Sequence, residues 1–274
     1  MAAPGLLGSF VRPPAGFEAP GTEIFQTHCV IGSGEPFTLL GFTGQACLNR
    51  VSILMIVAGA IVVGLFFAAF RRPQLVPRGL QNAMESVVEF VRTGIVIEVM
   101  GPEGLPWVPF LTTMFVFIFV NNIFSILPLI NFPTTSRMAI PPFLAILSWL
   151  LFVGAGIRAQ GLAYFKHALF PPGVPKALYV LVTPIEFVST FLVRPVTLTV
   201  RLLANMVAGH LILTIFFLGS AYLALRPATI PFAIPAFALA VFLMTFEILV
   251  AVLQAYIFTI LTAVYIAGAV HPEH

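Results

Sequence analysis

After residue 50 the chain is a succession of long apolar runs separated by short basic clusters. A bilayer core takes about 20 apolar residues as helix. Residues 51–70 carry no charge and stop at Arg71-Arg72-Pro73, which predicts a first span. A second is predicted at about 107–130 and a third at about 139–157. Two longer runs follow, about 178–225 and 229–270. At ~1.5 Å rise per residue the first of these would make about 70 Å of helix, against a core of about 30 Å. Each run is therefore either two spans or one steeply inclined helix. No polar turn divides 178–225, although Pro184 and Pro195 are able to kink it, and Pro231 and Pro235 suit the start of the next helix.

Residues 80–100 have a different pattern. Leu80, Met84, Val87, Val88 and Val91 recur at helical spacing, while Glu85, Glu89 and Arg92 cluster elsewhere. This predicts an amphipathic helix lying along the cytoplasmic membrane surface; a docking face for a soluble partner is the alternative. Residues 1–50, rich in Pro, Gly and Thr, show no basic start followed by an apolar run. They read as an irregular extramembrane segment rather than a signal peptide. The division expected is an N-terminal segment 1–50 and one membrane domain 51–274.

Composition narrows the class. Of 274 residues 59% are hydrophobic and 8% charged, where soluble domains carry about 25% charged residues. The mean hydropathy is +1.06. An all-α integral membrane protein is the expectation, and a net charge of +3 on such a chain does not suggest nucleic-acid binding. Cys29 and Cys47 lack partners at metal-ligand spacing, so no metal site is expected; whether they form a disulfide stays open. Lys and Arg set the orientation. Arg71, Arg72, Arg78, Arg92, Arg158, Lys166 and Lys176 share one side if each long run crosses once, which places the N-terminus outside and the C-terminus in the cytoplasm. Splitting both long runs leaves the ends on the same sides, so charge does not choose between five and seven crossings.

Within the two long runs stand Glu186, Arg194, Arg201, Asn205, His210, Glu247 and Gln254. An Arg at the centre of a membrane helix costs at least ~2.5–3.5 kcal/mol. Arg194, Arg201 and Asn205 fall near one helical face, and Glu247 and Gln254 fall on one face of the second run. If the runs form an antiparallel hairpin, opposed residue numbers have a nearly constant sum. Arg201 with Gln254 gives 455 and His210 with Glu247 gives 457, and half of either falls at the polar break Arg226-Pro227-Ala228-Thr229. One layer then holds Arg201 and Gln254 near mid-depth, and a second holds His210 and Glu247 nearer the outside. An imidazole beside a carboxylate has the composition of a proton relay. Arg201 does not deprotonate; its fixed charge is a barrier or a counter-ion. Paired structural charges, Glu186 with Arg194 in particular, are the competing account.

Three strings carry a resemblance. RPVTLTVRLLANMVAGHLIL (194–213), FEILVAVLQAYIFTILTAVYI (246–266) and FVNNIFSILPL (119–129) resemble subunit a of the F-type rotary ATP synthase. The resemblance runs from about residue 80 onward and is weak in 1–50. It implies a static membrane subunit whose last two helices, long, tilted and antiparallel, lie against a ring of c subunits, with five crossings in all. It implies Arg201 as the essential arginine and Asn205 and Gln254 as its hairpin partners. It further implies His210 and Glu247 as the acid/base pair of an outer proton half-channel, in His-then-Glu order. Glu186, Arg194, Asn121 and Asn122 are carried over to the inner half-channel. Ser125 departs from the family, where many members have Gly.

The resemblance also implies peripheral-stalk b-type subunits and the rest of the complex as partners, the lipid bilayer as surroundings, and no cofactor. No G-x-x-x-x-G-K-[ST] string is present, so the chain is not expected to be an enzyme on its own. The abundance of Arg and Ala over Lys and Asp fits a bacterial plasma membrane. A secondary transporter with an intramembrane Arg/His/Glu site is the rival reading, yet no internal repeat joins 51–157 to 178–270. A purely structural subunit would leave Arg201, His210 and Glu247 without a reason for their positions.

Overall fold

The computed structural model describes residues 29–31, 36–39, 42–45, 48–126, 140–161, 163–170, 178–225 and 227–270. Before the first helix come four short strands, β1 (Cys29–Ile31), β2 (Pro36–Leu39), β3 (Phe42–Gln45) and β4 (Leu48–Asn49). The β2–β3 hairpin pairs Phe37 with Gly44 and Leu39 with Phe42, and β1 pairs antiparallel with β4 outside it. This part of the N-terminal segment is thus not irregular: its apolar, Thr-containing strips suit paired strands. Cys47 and residues 1–28 lie outside the described residues, and the question of a disulfide with them.

The described secondary-structure elements after β4 are all helical. The long helices are α1 (Arg50–Phe70), α4 (Val108–Ile126) and α5 (Ile140–Gln160), followed by two longer ones. Tyr179–Ala224 is continuous over 46 residues: α7 (Tyr179–Val188), a π turn (Ser189–Val193) and α8 (Arg194–Ala224). A short 3-10 stretch, Pro227–Thr229, leads into α9 (Ile230–Val270). Among the described residues, five helices are long and apolar enough to cross a membrane. Neither long run is interrupted by a polar turn, so each is one inclined span rather than two.

The amphipathic segment is α2 (Leu80–Val91), continued by a π turn (Arg92–Ile97) and α3 (Glu98–Met100). Positive-φ glycines, Gly79 and Gly101, bound it on both sides. Met84 and Val91 are buried where α2 packs on α1 and α4, and Ile95 and Val96 are buried where the π turn meets α9, while Leu80, expected on that stripe, is exposed. Phe90 reaches Phe115 of α4 and Tyr256 of α9, each at 5.9 Å between ring centroids. Its polar side carries the ion pair Arg92–Glu89 at 3.3 Å, exposed and so worth about 0–1 kcal/mol. Gln81 is buried and clamps the preceding loop, accepting from the Gln74 N–H and donating to the Gln74 carbonyl, both at 3.1 Å.

The hairpin of α8 and α9 is the centre of the molecule, and α4 and α5 pack on its inner side. Leu198, Leu202, Met206, His210 and Leu213 of α8 are buried at three- and four-residue steps. Along the second half of α9 the buried positions include Ala251, Ala255, Thr259, Thr262, Ala263 and Ala269. Small residues let helix backbones approach closely where lipid offers no hydrophobic driving force. Thr259 and Thr262 donate to the carbonyls of Ala255 and Phe258, so their hydroxyls are satisfied within the helix.

The register of the hairpin is marked at Gly209. A Cβ on Gly209 would stand 2.6 Å from Glu247 Oε1, so these residues are in contact across α8 and α9. Their sum, 456, falls between the two sums obtained from the sequence. The same sum sets Met206 opposite Val250. Cysteines at these two positions are expected to cross-link under mild oxidation, whereas Met206→Cys with Leu243→Cys, one heptad out of register, is not. Cross-linking of the second pair alone would refute the register.

Candidate functional site

The contact at Gly209 brings the first two candidate groups to one level. The Glu247 carboxylate lies against the backbone of the residue preceding His210, and His210 is 2% exposed. A glycine inside an α-helix costs about 1 kcal/mol relative to alanine, and here it is the absence of a side chain that admits the carboxylate. Sequence reasoning passed over Gly209, although an isolated glycine in a helical pattern is a signal of close approach. Glu247 Oε2 is buried with no hydrogen-bond partner among the described residues. The Thr214 hydroxyl donates to the His210 carbonyl at 2.7 Å.

Arg201 and Gln254 share a level but do not pair. Gln254 is 5% exposed and points inward, and its Nε2 is buried without a hydrogen-bond partner among the described residues. Arg201 is exposed on the outer flank of α8. The register explains the difference: a sum of 456 sets Leu202, fully buried, opposite Gln254, and its neighbour is turned away by about 100°. No hydrogen bond or ion pair holds the Arg201 guanidinium among the described residues, where the sole ion pair is Arg92–Glu89. Asn205, one turn beyond, is half-buried. On the same outer flank as Arg201 stand the exposed small residues Ala204 and Ala208.

Asn121 and Asn122 of α4 are both buried. The amide of Asn121 donates to its own helix at the Phe117 carbonyl, 2.8 Å away. That of Asn122 donates to the Ala251 carbonyl of α9 at 3.4 Å. Ala251 lies one turn from both Glu247 and Gln254. The Asn pair, expected with Glu186 and Arg194, therefore stands at the Glu247–Gln254 level and braces α4 against that part of α9.

Arg194 and Glu186 form no ion pair, so the account of the two as a structural charge pair does not hold. The Arg194 guanidinium instead lies over the ring of Tyr265, 4.9 Å from its centroid, and near Phe152 at 6.0 Å. Such cation–π contacts keep a desolvated charge without neutralising it. Tyr164 of α6 (Ala163–Leu169) joins the cluster; a Cβ on Gly156 would meet its ring at 2.5 Å. Burial raises the Tyr164 phenol above its usual range, and the charge of Arg194 acts against that shift. Gln160 closes this end, donating to the Ala269 carbonyl at 2.9 Å and meeting His167 Nδ1 at 2.8 Å. The aromatic cage was not foreseen, since residues 152, 164 and 265 are remote from 194 in sequence. Glu186 is half-buried on α7. No group of three or more His, Cys, Asp or Glu suited to a metal occurs among the described residues.

The comparisons with known proteins identify the family. The family profile described as ATP synthase A chain matches residues 52–267. An ATP synthase subunit a of Frankia alni is 43% identical over 264 residues, covering 94% of this chain and 88% of the relative. One of Parafrankia is 46% identical over 224 residues, covering 81% and 76%. One of Rhodococcus erythropolis is 38% identical over 261 residues, covering 94% and 92%. With five long apolar helices among its described residues and a long terminal hairpin, the chain belongs to the ATP synthase subunit a family, the membrane subunits of the F-type ATP synthase.

Proposed function

We propose that this chain is the static proton-conducting partner of a rotating ring of carboxylate-bearing c subunits. One observation carries the reading. Arg201 stands exposed on an apolar helix, and no group among the described residues of its own chain neutralises it. A guanidinium in hydrocarbon without a counter-charge is costly, so its acceptor lies outside the chain. Ala204 and Ala208 beside it leave room for another helix to approach closely, which favours an acceptor carried by a packed partner helix.

The steps then follow from the residues. A proton enters from the outside through the His210 and Glu247 level, bordered by Gln254, Asn121 and Asn122, and neutralises a ring carboxylate. The neutral carboxyl tolerates lipid and is carried round. At the cytoplasmic path, for which Glu186 is the carrier and Arg194 the fixed charge, it ionises. Arg201 holds the ionised carboxylate and keeps the two paths apart, with Asn205 flanking it. The membrane potential contributes about 2.3 kcal/mol per 100 mV for each charge moved. In this reading the N-terminus faces outward across a bacterial plasma membrane and the C-terminus faces the cytoplasm. The chain works with the c-ring, b-type stalk subunits and the rest of the complex, and performs no ATP chemistry of its own.

The decisive measurement assembles Arg201 variants with their ring and reads ATP synthesis and passive proton leak separately. Arg201→Ala is expected to abolish synthesis while leak persists or rises; Arg201→Lys is expected to restore it only in part, an ammonium lacking the planar fork. Normal synthesis in Arg201→Ala would sink the mechanism, and loss of assembly without leak would favour a structural role.

At the outer path, removing either His210 or Glu247 is expected to slow proton flux on the order of 10²-fold. Exchanging the two should recover part of it. Flux unchanged in both single variants would remove them from the path.

Gly209→Val tests the close approach itself. It is expected to destabilise the subunit by about 1–3 kcal/mol through overpacking, and Glu247→Ala in the same chain should relieve most of that. Unfolding titrations of the single and double variants would contradict the contact if the two effects simply added.

A further inference from the structure

The π turn Ser189–Val193 interrupts the helix that carries Glu186, Arg194 and Arg201. The Arg194 N–H bonds to the Ser189 carbonyl, five residues back instead of four. The next residue is a proline, although Pro184 and Pro235 sit inside regular α-helix without such a turn, so proline alone does not require it. Pro195 has no N–H to donate, and in a regular α-helix its ring would press on the carbonyl four residues back. A π turn widens the helix at that point and takes up one extra residue.

The inward face shows where that residue goes. Thr183, Glu186, Thr190, Arg194, Leu198 and Leu202 are all half-buried or buried. From Thr183 to Leu202 is nineteen residues, whereas five α-helical turns take about eighteen. The nineteenth is absorbed by the π turn. Glu186 and Arg194 are eight apart, which in an unbroken α-helix would set them about 80° out of line. With one residue absorbed they behave as seven apart, nearly eclipsed. Glu186 is flanked by Ile185, Phe187 and Val188, which are 57%, 48% and 45% exposed, so a turn of one residue would deliver its carboxylate to the outside of the bundle. The Thr183 hydroxyl, buried with no hydrogen-bond partner among the described residues, would swing out with it.

We infer that the π turn is a register device, which takes up one surplus residue so that the Thr183–Glu186 face stays in line with Arg194 and with the packed face of the hairpin. The segment is a positioning element, and its functional weight rests on the reading of Glu186 as the cytoplasmic-side proton carrier. It carries an unusual consequence. Removing one residue from the middle of this helix restores an ordinary α-helix and leaves Glu186 where it was. Adding one residue has nowhere to go and turns Glu186 outward. In a regular helix the two changes would do equal harm.

The experiment uses the assembled complex in membranes, with Cys29 and Cys47 replaced by Ser. Leu192, 53% exposed within the π turn, is deleted in one variant, and an alanine is inserted after it in another. Glu186→Cys, introduced into each, is labelled with a membrane-impermeant thiol reagent from the cytoplasmic side. The deletion is expected to keep the wild-type labelling and, with Glu186 intact, ATP synthesis; the insertion is expected to lose both. Lost labelling or lost assembly in the deletion variant overturns the inference, as does an insertion that labels like wild type. Glu186→Gln, measured alongside, separates the two claims: unchanged proton flux there removes Glu186 from the path, while the labelling pattern still decides the register.

Discussion

An arginine exposed on an apolar helix, with no counter-charge among the described residues, is the constraint on which the arrangement turns. Arg201 lies on the outer flank of a continuous 46-residue helix, among residues that expose apolar or very small side chains. The inward position that would let it meet Gln254 is taken by Leu202. On the function proposed above, the subunit's long hairpin displays a charge that a partner satisfies, which is a physical reason for such a subunit to work within the complex.

The other polar groups of the hairpin are treated differently, and the contrast is informative. Glu247 is drawn inward because Gly209 offers no side chain to exclude it. Arg194 is drawn inward onto Tyr265 and Phe152, rings that stabilise the cation and leave its charge in place. Asn122 is committed to a carbonyl of α9. Thr259 and Thr262 are satisfied by their own helix. The bundle thus separates polar side chains that brace helices from Arg201 and Glu247 Oε2, which have no hydrogen-bond partner among the described residues.

Backbone irregularity follows the same logic. Two π turns occur in the described chain, one in the amphipathic segment and one ahead of Arg194. The second sits just ahead of Arg194 and Pro195, and on the inference drawn above it keeps the packed face of α7 in line with that of α8. Length is absorbed locally so that faces match globally, which matters most in a helix whose two ends carry different groups to different depths.

Much of this was written in the chain. Apolar runs of about 20 residues named the short spans, while the residues left each long run as either one helix or two and the family resemblance implied one. The constant sum of residue numbers, centred on the Arg226–Thr229 break, set the hairpin register to within one residue, because two antiparallel helices joined by a short turn have little freedom to slide. The string around Arg201 marked the family. Tertiary structure alone decided which way each polar group faces. A shift of one residue is about 100° of helix, beyond the resolution of a sum, and it separates the outward Arg201 from the inward Leu202. The strands before α1, the cage of Phe152, Tyr164 and Tyr265 around Arg194, and the level of the Asn pair depend on contacts between residues far apart in sequence. Hydropathy along a chain records depth and period; it does not record which neighbour a helix face will meet.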